Sequence, residues 1–321
     1  MSKIYNSKYK GIECICLENG DMRAVFIPGQ GAKLCSYYNR KTEYEYIYQG
    51  KEKDYKTGKY GQSFLEGECA GVDEMFPNID AFYYDTYPWE GTFFPDHGEL
   101  WALPWDAQAD EGSLTMTTYG VKLPYKLTKV VTMNQFGKLY MEYQLENLSV
   151  FEINFVWAAH MMFHAEEHCR FEFDESLSKA YTTMSDSRMI GKYGDTFEYP
   201  LLKDSSGSVY DIRENRGNQA SDYQKFYFAE KLKEHQGWGR IVYPDQGSLT
   251  ISFPTDKVPY LGAVQGEGGE LDLRCMMLEP CTGAFDRPDI AKLHDMGSVL
   301  QPREIREWYL DMEVKKTGSE K

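Results

Sequence analysis

The segment Leu139–Glu146 alternates strictly. Leu139, Met141, Tyr143 and Leu145 stand at one parity, and Tyr140, Glu142, Gln144 and Glu146 at the other. Successive side chains of a β-strand point to opposite faces, so this pattern predicts a strand with one buried face. The stretch "YKLTKVVTM" precedes it, and the intervening "NQFG" supplies hairpin-turn chemistry. Near the C-terminal end "EWYLDMEV" repeats the alternation through Trp308, Leu310, Met312 and Val314. "GSLTISFP" and "EINFVWAAHMMF" read as further strands. Antiparallel neighbours joined by short turns predict sheets packed face to face, an all-β antiparallel sandwich. All-β chains often reach this length undivided, so residues 1–321 are expected to form one domain.

Residues 181–240 interrupt the pattern, being polar and poor in aliphatic alternation. They read as an excursion within that domain. Inside it, "SDYQKFYFAEKLKEH" predicts a short helix, with Ser221 and Gln224 as a capping box.

Charge and cysteine usage narrow the function. Asp and Glu number 50 against 35 Lys and Arg, a formal charge of −15, which argues against nucleic acid and anionic membranes as partners. Seven cysteines, an odd count without paired metal-type spacing, together with an N-terminus lacking a signal-like apolar core, predict reduced thiols in a cytoplasmic protein. No apolar run reaches the roughly 18 residues a membrane helix needs. The 25 Tyr and 17 Phe suit pleated sheets, and their ring faces also suit the apolar face of a pyranose. The sequence carries no complete glycine-rich phosphate fingerprint.

Polar residues gather against strand ends in a few places. "GECAGVDEMFPNI" sets Asp73 and Glu74 between Gly71 and Pro77, and "PDHGELW" places His97 in a turn that reads as exposed. His160 interrupts an apolar strand, sharing a parity with Asn154, Val156 and Ala158, while Phe155, Trp157 and Ala159 face the other way. In "LDLRCMMLEPCTGAFD", Glu279 closes an apolar strand just before Pro280. A histidine in such a strand is ordinarily a core residue, and a strand-end glutamate ordinarily an ion-pair partner. Together, however, they offer a general acid and a general base near neutral pH. His160, His164 and His168 are spaced by four, which on a strand spans about 13 Å, too far for one metal ion. No GxSxG elbow is present. The chemistry on offer is proton transfer.

With these segments in view, the chain resembles the aldose 1-epimerase, or galactose-mutarotase-like, family. "IPGQGAKLCSYYN", "GECAGVDEMFPNI", "PDHGELWALPW", "WAAHMMF" and "LEPCTGAFD" are similar to the family's segments in the family's order. The resemblance implies a large antiparallel β-sandwich with a concave sheet that holds a sugar, and no cofactor or metal. Carried over by position, His160 would be the general acid at the ring oxygen, Glu279 the general base at the anomeric hydroxyl, and His97 the residue that orients the sugar. Asp73 and Glu74 would line the cleft, with Gln265 and Trp157 as further contacts. The chain departs from the family pattern where an arginine is expected beside the glycine–proline loop. Here that loop offers Glu68, Asp73 and Glu74 instead. The departure counts against a phosphorylated sugar, whose phosphate calls for Arg or Lys clamps. The expected partner is a small-molecule sugar, for a chain acting as a monomer or homodimer. A carbohydrate-binding protein and another sugar isomerase or lyase on the same scaffold are the competing readings.

Overall fold

The alternating stretches are strands in the computed structural model, which describes residues 2–187, 189–203, 207–217 and 220–316. Tyr125–Met133 pairs with Leu139–Asn147 in the expected hairpin, from Tyr125 opposite Asn147 to Met133 opposite Leu139. The Asn134 side chain accepts hydrogen bonds from the backbone N–H of Phe136 and Lys138, and Gly137 takes a positive φ of 85°. That is the chemistry a tight turn demands.

Two antiparallel sheets dominate. The smaller has eight strands, in the order Arg170–Glu172, Trp238–Tyr243, Gly247–Ser252, Ile305–Lys315, Leu139–Asn147, Tyr125–Met133, Ser113–Tyr119 and Asp106–Asp110. The larger has twelve. Its N-terminal wing is Lys3–Tyr9, Ile12–Asn19, Met22–Ile27 and Lys33–Asn39. Its centre is Val72–Met75, Ala158–His164, Leu273–Cys281 and Tyr260–Gly268, followed by Tyr223–Phe228, Lys179–Thr182 and Thr196–Glu198. Tyr44–Glu45 pairs on the side with Lys33–Asn39. Between the sheets lies a core that includes Phe26, Phe76, Tyr125, Leu127, Met141, Trp157, Leu278, Leu310 and Met312. The remaining face of the large sheet carries separate buried clusters, one around Met75, Val156, Ala158, Tyr227 and Cys281, another around Phe64, Trp101, Met162, Val264 and Met277. The architecture is the expected all-β sandwich.

The excursion differs from its sequence reading. The predicted helix at 221–235 is a strand over Tyr223–Phe228, followed by a 3-10 turn at Glu234–Gln236. Ser221 has φ of +47°, whereas a helix N-cap needs the extended region. The local sequence also alternates, with Tyr223, Lys225 and Tyr227 at one parity and Gln224, Phe226 and Phe228 at the other. Pairing with Tyr260–Gly268 then buries Phe226 and Phe228 in the main core. Strand period and aromatic burial outweigh a coincidental capping box. The segment therefore extends the large sheet and does not merely decorate it.

Candidate functional site

Register assembles the site. Val72–Met75 lies against Ala158–His164 with His160 opposite Asp73, so both side chains project from the same face. On the other side of the His160 strand, Ala158 pairs with Cys281 and Met161 with Leu278. The pairing skips the positions of Glu279 and Pro280, because proline has no N–H to give to the ladder. The strand nevertheless runs on through Pro280 to Cys281, so Glu279 lies inside it and not at its end. Across this seam His160 Nε2 is 3.7 Å from Glu279 Oε1.

His97 completes the cluster from a loop. Its ring stacks on Phe64, with centroids 4.1 Å apart and an 8° interplanar angle, and meets His160 edge-on at 5.0 Å. Its Nδ1 is 3.4 Å from Asp96 Oδ2, which also accepts the Phe64 N–H. The turn read as exposed is pinned: His97 N–H donates to Ile79 O and Glu99 N–H to Phe76 O. Gly98 is required there, since a Cβ would come within 2.2 Å of Phe76 O and its φ is +66°. The His97 side chain is only 19% exposed.

Two lysines that the sequence reading passed over join the site, Lys33 buried and Lys225 half-buried. Lys33 Nζ pairs with Asp73 Oδ2 at 2.9 Å and donates to the carbonyls of Glu68 and Ala70, each at 2.7 Å. This ammonium stands in the neighbourhood where an arginine was sought. Lys225 Nζ lies 3.2 Å from Glu279 Oε2 and 2.9 Å from Asp286 Oδ1, and Tyr227 Oη donates to that same Asp286 oxygen. Gly262, opposite both Tyr227 and Glu279, makes room: a Cβ there would meet Tyr227 Cε1 at 2.9 Å and Glu279 Cβ at 3.3 Å. The readable signal was a lysine at the parity of Tyr223 and Tyr227, inside an aromatic strand.

Three expected contacts lie elsewhere. Adjacent strand residues face opposite ways, so Glu74 turns into the core while Asp73 turns into the site. Glu74 accepts from Lys129 Nζ at 2.8 Å, Tyr143 Oη at 2.9 Å and Trp157 Nε1 at 2.9 Å. Trp157 is fully buried in the same place, as the opposed parity of His160 requires. Gln265 sits opposite Gln224 and Met276, on the core side of the sheet that carries Glu279 on its other side. Glu74, Trp157 and Gln265 are thus corrected from cleft to interior, while His97, Asp73, His160 and Glu279 come together.

The electrostatics follow from burial. Burial pushes the His160 pKa well below its ordinary 6.5, and the charges of His97, Lys225 and Lys33 push the same way. Burial raises Glu279 above the usual carboxylate value, opposed by Lys225 and reinforced by Asp286. Asp73 is likewise raised by burial and opposed by Lys33. Burial opposes the Lys225 charge, yet Asp286 and Glu279 outweigh it and hold that ammonium firmly protonated. Among the described residues, no group of three or more His, Cys, Asp or Glu side chains is disposed to hold a metal ion. Nor is any helix long and apolar enough to cross a membrane.

The fold has close counterparts among solved structures. A galactose mutarotase-like protein from Lactobacillus casei superposes with a TM-score of 0.67 at 16% identity, over 94% of this chain and 100% of that one. A candidate aldose 1-epimerase from Klebsiella pneumoniae gives 0.71 at 14% identity, over 96% and 81%. A galactose mutarotase related enzyme from Lactobacillus acidophilus gives 0.65 at 13% identity, over 99% of each chain. No protein-family model matches the sequence, and no curated protein matches it. The chain has the galactose-mutarotase-like β-sandwich fold.

Proposed function

We propose that the protein is an aldose 1-epimerase, interconverting the α and β anomers of a sugar by acid–base ring opening and reclosure. The observation that carries this reading is the His160–Glu279 pair, 3.7 Å apart on the face of the large sheet that also presents Asp73, with His97 reaching it from a loop. Glu279 would take the proton of the anomeric hydroxyl while His160 gives one to the ring oxygen. The pyranose opens to the aldehyde, rotation presents its other face, and both transfers reverse on closure. Each turnover therefore visits two states of the pair, with its single proton first on His160 and then on Glu279. Burial disfavours charge on both members, which favours the state with the proton on Glu279 more than water would. The names carried by the structural neighbours point the same way.

The site's charges favour a neutral sugar. Lys33 and Lys225 are each engaged by carboxylates, from Asp73 on one side and Glu279 with Asp286 on the other. Two ammonium groups face three carboxyl groups, so neither lysine is a spare cation for a phosphate or uronate. The deciding experiment follows anomer interconversion by polarimetry across pure α and β aldoses, with the spontaneous rate subtracted. A rate indistinguishable from the spontaneous one on every neutral aldose would end the epimerase reading.

A further inference from the structure

We propose that Lys225 is the positioning residue for the Glu279 base: bridged between the Glu279 and Asp286 carboxyl groups, it fixes which oxygen Glu279 presents and governs how readily that carboxyl releases its proton. The base role rests on the epimerase reading, whereas the coupling between Lys225 and Glu279 stands apart from it. A carboxyl group turns easily about its last bond, so an isolated glutamate would offer either oxygen. Here Oε2 lies 3.2 Å from Lys225 Nζ and Oε1 lies 3.7 Å from His160 Nε2, a division of the two oxygens between cation and imidazole. The ammonium is itself held. Asp286 Oδ1 is 2.9 Å away, and that carboxyl also receives Tyr227 Oη at 2.5 Å. The Asp286 backbone carbonyl accepts the N–H groups of Ile79 and Asp80, which ties this loop to the segment that anchors His97.

The chain of partners runs from the loop to Asp286, Lys225, Glu279 and His160. Lys225 and Asp286 thus act on Glu279 with opposite signs at a buried position, where charges are poorly screened. The other groups facing Glu279 are His97, which favours its ionised form, together with His160, Cys281, Tyr223 and Tyr227. None of them changes in the two variants that test the idea. Lys225→Met removes the cation and should make Glu279 hold its proton more tightly. Asp286→Asn keeps the shape and the acceptor for Tyr227 but removes the anion, so Glu279 should release its proton more easily.

The test titrates the Glu279 carboxyl by ¹³C NMR in the unliganded protein, using Glu279→Gln to assign the signal, and pairs it with pH–rate profiles on glucose and galactose. The midpoint should rise by about one unit or more in Lys225→Met, fall in Asp286→Asn, and return towards the parent in Lys225→Arg. The kinetic limb governed by Glu279 should move with it, kcat at neutral pH falling at least about tenfold in Lys225→Met while KM changes less than about threefold. An unmoved midpoint in Lys225→Met, or a shift of the same sign in both variants, overturns the proposal. If the parent shows no epimerase activity the function reading fails, and the NMR midpoints still decide whether Lys225 tunes Glu279.

Discussion

His160 Nε2 faces Glu279 Oε1 at 3.7 Å across a seam where Pro280 interrupts the ladder between their strands. The two residues are distant in sequence, and only register makes them neighbours. If both transfer protons in one path, either loss should disable it. Glu279→Gln and His160→Asn should each lower kcat by about 10²–10⁴ with KM little changed, because each preserves shape while removing proton exchange. The double variant should lose far less than the product of the two single losses. Polarimetric rates of the four proteins provide the check; a Glu279→Gln variant as fast as the parent would return Glu279 to a structural role.

Burial of His160 also predicts a pH effect on stability. Its folded pKa lies well below 6.5, so near pH 6.5 the unfolded chain takes up a proton that the folded protein refuses. The contribution is therefore fully present above pH 6.5 and is lost as pH falls from there towards the folded value, at about 1.4 kcal/mol per unit. Urea unfolding at pH 7.5 and pH 5.5 should show His160→Asn gaining on the parent at the lower pH. An unchanged difference between the two proteins would contradict a neutral buried imidazole.

Phe64 covers both histidines. Its ring lies parallel to His97 and edge-on to His160 at 5.1 Å, and it is almost wholly buried. A sugar approaching His160 from the side of this ring would have to displace it. Phe64→Ala should therefore expose the imidazoles, so that carbethoxylation of His97 and His160, followed by mass spectrometry, runs at least about tenfold faster than in the parent. Loss of the ring should also cost about 3–5 kcal/mol of stability, so both rates are compared where the variant is folded. Equal labelling rates would show that the sugar's path lies elsewhere.

The neutral-sugar reading is tested by charge. Glucose should be turned over with a kcat/KM at least about tenfold above that for glucose 6-phosphate, since the phosphate would enter a site whose cations are already engaged. A preference for the phosphate would mean that Lys33 or Lys225 leaves its carboxylate partner when the ligand arrives.

Period-two alternation made the strands legible, because a half-buried strand writes its faces directly into the residue order. His160 was readable as a polar interruption of such a strand, and Glu279 as a carboxylate in an apolar run. What could not be read was the outcome of register. "VDEM" presents two acids in succession, and only the pairing of Asp73 with His160 says which one faces the site. Lys225 was hidden by the apparent helix cap at Ser221, although Tyr223, Lys225 and Tyr227 alternate with Gln224, Phe226 and Phe228. Phe64 belongs to a short 3-10 turn with no periodicity, so nothing local marks it as the ring that covers two histidines.

Glu74 provides the sharpest contrast with its neighbour Asp73. It was expected in the cleft, yet it lies in the core against Lys129, Tyr143 and Trp157. Lys129 and Glu74 are both fully buried, so Glu74→Gln leaves an ammonium without its counter-charge, a loss of about 3–5 kcal/mol. Where that variant remains folded, its kcat/KM should stay within about threefold of the parent, because no atom of Glu74 faces the site. Replacing the pair together, as Glu74→Leu with Lys129→Met, removes both charges and should recover much of the lost stability. Asp73→Asn strands Lys33 in the same way, but here turnover should fall as well, since Asp73 pairs across the strand with His160. Urea unfolding combined with kcat/KM separates the two cases. A stable Glu74→Gln variant with kcat/KM reduced a hundredfold would place Glu74 in the chemistry after all.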